Sequence, residues 1–274
     1  MTADSSGGSG GNPGGLSPGA PGAPGEYMGG LFPGGTSVSH LTVYDWSSPD
    51  GHRGGSAHAH LACTEGYVVI GGKGRLQTLG YGGYAETPLT PLTVAWFSPG
   101  VIHRLVNEQE LKIIVVMQNG GLPEAGDCVL TFPPERLADA QAYREVAALG
   151  SSPGTGEEAA AARNSPGRGD EFPALRSSPA TGAPPMGDSG TADRREAPAE
   201  RRKNLAVAGF LRLRARVETE GPQVLDEFYA AATALVRPQL PAWRQTWETG
   251  ALAAAQRTLE QLDALERGES QLLA

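Results

Sequence analysis

The sequence predicts a mainly β domain, of sandwich or barrel type, followed by a small helical segment. Between residues 36 and 131, short runs rich in β-branched and aromatic residues alternate with turns that contain Gly or Pro. After residue 203, apolar residues recur at helical spacing. Two further blocks are dominated by Gly, Pro and Ser, which supply little apolar surface to bury. These three observations predict one folded domain of ordinary size with a helical addition.

The β-rich part divides into short strands in chain order. The runs at 41–46, 67–70, 75–79, 93–97 and 111–117 are predicted strands, and Gly71 and Gly72 are expected to end the second of them. Residues 134–149 follow as a predicted helix, because Pro134 stands at its start and Gly150 just past its end. The folded unit is therefore expected to span residues 36–150.

The flanking blocks differ in character. Residues 1–35 and 151–202 are predicted to be disordered, as a tail and a linker, because Gly, Pro, Ser and mixed charges cannot offset the entropy of ordering. Residues 203–274 are predicted to be helical, with helices at 224–236 and from 243 to about 267. The run 211–217 alternates strictly and fits either a strand or a helix; we expect a helix.

Composition narrows the classes of partner. The 274 residues carry a net charge of −8 and no strongly basic segment, so neither nucleic acid nor an anionic membrane surface is an expected partner. No apolar run reaches transmembrane length and no signal-peptide pattern is seen, so we expect a cytoplasmic protein. Cys63 and Cys128 are the only cysteines, and both are expected to be free thiols.

Four residues form a candidate metal site. His58 and His60 are one residue apart, so on a strand their imidazoles point to the same face. Glu65 follows five positions later, and His103 lies on a later apolar run. Three imidazoles and one carboxylate suit a divalent first-row metal and leave coordination positions open for chemistry.

These residues carry a resemblance to the cupin family. The spacing His58-x-His60-x4-Glu65-x6-Gly72 resembles the first cupin motif, and Gly100-x2-His103-x3-Asn107 resembles the second. Ser98 stands where the family usually has Pro, which concerns a turn and not a ligand. The resemblance covers residues 38–131. It implies a single antiparallel jelly-roll barrel that holds one Fe, Mn, Ni, Zn or Cu ion through His58, His60, Glu65 and His103.

The resemblance also sets the functional alternatives. It implies a metal-dependent enzyme of dioxygenase or sugar (or sugar-phosphate) isomerase type, acting on a small-molecule substrate. The alternatives are a non-catalytic barrel that binds or senses a small-molecule ligand, and a structural metal with C-terminal helices that mediate oligomerisation or partner binding. Tyr67 is two residues after Glu65, so on a strand both side chains lie on the same face. Tyr67 is therefore a candidate for a hydroxyl in the pocket, and the other interpretation is an aromatic residue of the core. We expect a homodimer.

Overall fold

The computed structural model describes residues 32–148 and 197–270. Its strands are β1 (Ser37–Thr42), β2 (His58–His60), β3 (Glu65–Gly80), β4 (Gly83–Leu89), β5 (Val94–Phe97), β6 (Ile102–Met117) and β7 (Cys128–Leu130). They form one antiparallel sheet in the order β4-β3-β6-β2-β7, with β1 also paired to β6 and β5 to β3. The predicted mainly β architecture is confirmed. Strands β4 and β7 were not predicted from the sequence.

The long strand β3 corrects the prediction that Gly71 and Gly72 end a strand. The two runs predicted at 67–70 and 75–79 belong to this one strand, whose register against β6 shifts between Val69 and Gly74. Gly72 has a φ of 72°, and a Cβ there would lie 2.2 Å from the carbonyl oxygen of Gln109. The glycines therefore bend a continuous strand through a bulge, which increases its twist without ending it.

Six α-helices lie among the described residues: α1 (Pro134–Leu137), α2 (Ala140–Ala147), α3 (Pro198–Glu220), α4 (Leu225–Val236), α5 (Leu240–Trp247) and α6 (Ala253–Glu266). The helix predicted at 134–149 is two helices, because Asp139 ends the first turn and caps α2 by accepting from the backbone N–H of Gln141 and Ala142. The ambiguous run 211–217 lies within α3. Among the described helices, none is both long and apolar enough to cross a bilayer.

The predicted boundaries of the flanking blocks shift where the structure describes them. Helix α3 begins at Pro198, so the last residues of the predicted linker are helical, and Arg202 is buried. At the other end, Phe32 bridges Thr36 around a short 3-10 turn, and Gly35 is buried. The remaining parts of the predicted disordered blocks, residues 1–31 and 151–196, lie outside the described residues.

The C-terminal helices pack on the barrel and share its hydrophobic core. Their fully buried apolar side chains are Ala206, Val207, Phe210, Leu225, Phe228 and Ala232. Thr131, just after β7, donates its hydroxyl to the carbonyls of both Ala57 and Ala206, which joins the barrel to α3. Farther along, Tyr229 donates to the carbonyl of Gly100 and Trp243 to that of Ala125. The barrel and the helices are therefore one packed unit.

Gly209 sits at the closest approach between α3 and the barrel. A Cβ at this position would lie 1.8 Å from the carbonyl oxygen of Thr131, which is backbone and cannot rotate away. Replacing Gly by Ala within an ordinary helix usually stabilises it by about 1 kcal/mol. Here we expect Gly209→Ala to lower the free energy of unfolding by about 3 kcal/mol, because α3 must move off the barrel.

Urea unfolding followed by circular dichroism measures this change. Gly82→Ala is the matched control, since a Cβ at Gly82 meets nothing within 4 Å, and its effect should stay within about 0.5 kcal/mol. If Gly209→Ala stabilised the protein as it does in an ordinary helix, then α3 would not lie as close to Thr131 as described here.

Candidate metal centre

The four predicted ligands converge inside the barrel. Strand β2 carries His58 and His60 and lies between β6 and β7, and His58 pairs directly with His103 of β6. Glu65 is the first residue of β3. All four side chains are buried, and one ligand atom from each lies within 4.8 Å of the others. The structure thus brings together every residue of the predicted set.

Backbone and carboxylate acceptors orient the three imidazoles. The Nδ1 of His58 lies 3.1 Å from the carbonyl oxygen of Ser56, and that of His103 lies 3.0 Å from the carbonyl oxygen of Val101. A carbonyl oxygen only accepts, so each Nδ1 carries the proton and each Nε2 keeps its lone pair. The ring positions therefore direct the Nε2 lone pairs of these two residues toward the cluster.

The inner atoms of the cluster lack the hydrogen bonds that burial demands. The Nε2 atoms of His58 and His103 and the Oε2 atom of Glu65 are buried without a hydrogen-bond partner among the described residues. Such atoms cost free energy unless something else satisfies them. Glu65 Oε2 lies 3.0 Å from His103 Nε2 and 3.6 Å from His60 Nε2, in an arrangement suited to a shared cation. The donor set fits a divalent metal ion.

The protonation states also suit a metal. Burial, together with the neighbouring imidazoles of His103 and His60, lowers the pKa of His58 to about 3, so this ligand is neutral at physiological pH. Burial would raise the pKa of Glu65, but the adjacent imidazoles of His103 and His60 outweigh it and lower the pKa. The result is a neutral imidazole beside a carboxylate, the forms in which these groups coordinate metals.

Asp127 contacts the candidate metal centre, and the sequence analysis does not identify it. It is fully buried just before β7, and its Oδ1 accepts from His60 Nδ1 at 2.6 Å while Oδ2 accepts from the N–H of Ala62 at 3.3 Å. Burial opposes ionisation, yet the hydrogen bond from His60 lowers the pKa of Asp127. No motif spacing marks this residue; only the register of β7 against β2 places it behind His60.

We expect Asp127→Asn to weaken metal binding about 10- to 100-fold, since a carboxylate behind a histidine ligand fixes its ring and raises its basicity. Competition with a chelator of known affinity measures this change. The control is Asp263→Asn, an exposed position on α6, which should bind as the wild type does. An unchanged affinity in Asp127→Asn would remove Asp127 from the centre.

A cavity adjoins the cluster. It is lined by Leu41, Val43, Tyr44, Gly55, Ser56, His58, Tyr67, His103 and Leu105. Tyr67 is buried, with its ring centroid 6.4 Å from that of His103 and 5.6 Å from that of Phe97. It therefore belongs both to the cavity wall and to the aromatic core, and the two sequence-based interpretations of this residue describe the same position.

Comparisons with known proteins find similarity among solved structures only. No family model matches the sequence, and no curated protein matches it. The solved structures that it resembles include Streptomyces Pac13, described as a nucleoside dehydratase and solved with uridine, at 10% identity and a TM-score of 0.26, covering 33% of this chain and 64% of that one.

Two further structures show the same level of similarity. A Klebsiella pneumoniae protein with a double-stranded β-helix domain is 22% identical over 31% of this chain and 67% of its own, with a TM-score of 0.24. A cupin protein from Bacteroides fragilis is 16% identical over 31% of this chain and 65% of its own, also with a TM-score of 0.24. The chain thus spans about two thirds of their length. These values carry nothing about activity or substrate.

The antiparallel strand order and the buried His/Glu cluster define the class of protein. The fold is cupin-like, with a C-terminal helical segment packed on the barrel.

Proposed function

We propose that this protein is a metal-dependent enzyme that acts on a small molecule, using one divalent ion held by His58, His60, Glu65 and His103. The observation that carries the proposal is the convergence of four buried ligand atoms within 4.8 Å of one another beside a cavity. The donor set accepts Fe, Mn, Ni, Zn or Cu and does not select among them.

Each part of the centre has a distinct role in this proposal. When bound, the ion acts as a Lewis acid or, if it is redox-active, activates dioxygen. The carbonyls of Ser56 and Val101 hold two of the imidazoles in the required tautomer, and Asp127 does so for His60. The buried side chain of Tyr67 lines the cavity beside His58 and His103. Chemistry of the dioxygenase or sugar-isomerase type fits such a centre.

A non-catalytic binding or sensing barrel is the second candidate. The observation that favours it is the lining of the metal cavity, which among the described residues contains no carboxylate and no lysine. Apart from the ligand histidines, its ionisable groups are the phenols of Tyr44 and Tyr67. A barrel that binds without turnover needs no separate general base, whereas many isomerases do.

One experiment separates the two candidates. Metal-free protein is loaded with each of the five metals in turn, and then assayed for dioxygen uptake and sugar-phosphate isomerisation with a panel of small substrates. Turnover that disappears in His103→Ala supports the enzyme. Saturable binding of a small molecule from the panel, measured by calorimetry and without turnover, supports the sensing barrel. Protein that takes up none of the five metals contradicts the metal-dependent enzyme.

The homodimer stays a prediction. Light scattering coupled to size exclusion measures the mass directly, and a mass equal to that of one 28.4 kDa chain would contradict it.

A further inference from the structure

Two turns beside the candidate metal centre hold its histidines in place. The first turn, residues 98–101, ends with the carbonyl oxygen of Val101, which accepts from His103 Nδ1 at 3.0 Å. In the same turn, the backbone N–H of Gly100 donates to the carbonyl oxygen of His60 at 2.7 Å. This turn therefore contacts two of the four candidate ligands, one through its ring and the other through its backbone.

The second turn, residues 119–127, contacts the backbone just after His60. Asn119 donates its side-chain amide to the carbonyl oxygen of Ala62 at 2.9 Å. Asp127, at the end of the turn, accepts from the N–H of Ala62 at 3.3 Å and from His60 Nδ1 at 2.6 Å. The turn therefore holds the ring of His60 and both the N–H and the carbonyl of Ala62.

Side chains of the C-terminal helices are hydrogen-bonded to both turns. On α4, Tyr229 donates its hydroxyl to the carbonyl oxygen of Gly100 at 2.9 Å. On α5, Trp247 donates its indole N–H to the side-chain oxygen of Asn119 at 2.9 Å. Both donors belong to a part of the chain that the cupin resemblance does not cover. The C-terminal helices thus contact the surroundings of the metal centre at two separate points.

Asn119 links Trp247 directly to Ala62. Its amide oxygen accepts from the indole and its amide nitrogen donates to the backbone, so both ends of the amide are fixed. Trp243, which is 5% exposed, donates to the carbonyl oxygen of Ala125 in the same turn at 3.2 Å. Two indoles of α5 therefore restrain this one turn.

We infer that Tyr229 and Trp247 are positioning residues of the metal centre, so that metal affinity depends on their hydrogen bonds to the two turns. Neither belongs to the candidate ligand set; each acts through a turn that holds a ligand histidine. Groups that fix the ring and tautomer of a ligand histidine change metal affinity. The inference rests on the proposed metal-dependent function and adds a means of regulating it. Because such coupling is reciprocal, a bound ion strengthens these helix contacts by the same factor.

Tyr229→Phe and Trp247→Phe test the inference, because each change removes one hydrogen-bond donor and keeps an aromatic ring. Cu²⁺ is the probe, since N/O sites bind it most tightly among the divalent first-row metals. Competition with a chelator measures its affinity, and electron paramagnetic resonance reports the geometry of its ligands. We expect each variant to bind Cu²⁺ about three- to tenfold more weakly than the wild type, with an altered resonance spectrum. The changes affect separate turns, so their effects should multiply in the double variant.

Tyr81→Phe is the matched control. Tyr81 also donates its hydroxyl to α4, through Asp226, but it lies between β3 and β4 and belongs to neither of the two turns. The variant therefore loses the same kind of bond between barrel and helix, and it should keep the affinity and spectrum of the wild type. A loss of affinity in Tyr81→Phe equal to that in Tyr229→Phe would overturn the inference, because the effect would then follow from helix packing in general.

The remaining outcomes separate this inference from the proposed function. Unchanged Cu²⁺ affinity and spectrum in both Tyr229→Phe and Trp247→Phe overturns the inference and leaves the proposed function standing. A wild type that takes up no more Cu²⁺ than His103→Ala overturns both. If Trp247→Phe does not fold, Asn119→Gly removes the same link, since glycine readily adopts the φ of 57° found at Asn119.

Discussion

Replacing His58 and His60 together with Ala is expected to abolish stoichiometric metal binding. These residues supply two of the four ligand atoms that lie within 4.8 Å of one another, and both come from the three-residue strand β2. Glu65 and His103 alone leave too few donors to hold a divalent ion against solvent. Elemental analysis of purified protein measures the loss, and circular dichroism checks that the double variant is folded.

The sequence offers a close control for this experiment. The chain has five histidines, and the two outside the cluster, His40 and His52, are exposed and partly exposed. Replacing that pair with Ala removes the same number of imidazoles and should leave the metal content at the wild-type level. If the His58/His60 variant kept its metal at wild-type occupancy, the site would have been assigned to the wrong residues.

Ending the chain after Arg202 is expected to give an insoluble or aggregated barrel. The deletion removes Phe210, Leu225 and Phe228, each almost fully buried in the core shared with the barrel. Burial of one such side chain contributes about 1.5–3 kcal/mol, and whole domains are stable by only about 5–15 kcal/mol. The soluble fraction after expression and light scattering of any soluble product measure the effect.

A shorter deletion provides the comparison. Ending the chain after Leu252 removes α6, whose residues Leu259, Leu262 and Leu265 are 60%, 53% and 48% exposed and whose only buried residue is Ala264. That protein should remain soluble and folded. A chain ending at Arg202 that is monodisperse and as stable as the wild type would show that the helices are an independent appendage.

The sequence was sufficient to predict that His58, His60, Glu65 and His103 come together. His58 and His60 share a face because side chains alternate on a strand, and motif spacing linked them to Glu65 and His103. The first argument is local in sequence, and the second rests on the resemblance to the cupin family. Asp127 could not be found in the same way, because its contact with His60 depends on the pairing of β7 with β2, which is 67 residues distant in sequence.

The predictions that failed concern boundaries and long-range packing. The sequence analysis predicts that a strand ends at Gly71 and Gly72, whereas the structure has a β-bulge there. Glycine is common both at strand ends and in bulges, so the local sequence does not distinguish the two. Lys203 is also buried, at 2% exposure, and nothing in the sequence indicates this, since a lysine on a helix is normally exposed. Its environment comes from Trp46 and Ser47, more than 150 residues earlier in the chain.

The arrangement of the histidines determines what a bound ion does for the protein as a whole. Strand β2 is paired on both sides, and the imidazoles are oriented by hydrogen bonds to Ser56, Val101 and Asp127, which are contacts within the protein itself. The site is thus preorganised, unlike that of a zinc finger, whose chain folds only when the ion is present. The free energy of metal binding therefore contributes to affinity for the ion and is not needed to fold the domain. We therefore expect that removal of a bound ion with a chelator leaves a folded barrel that can be reloaded, which circular dichroism before and after chelation measures.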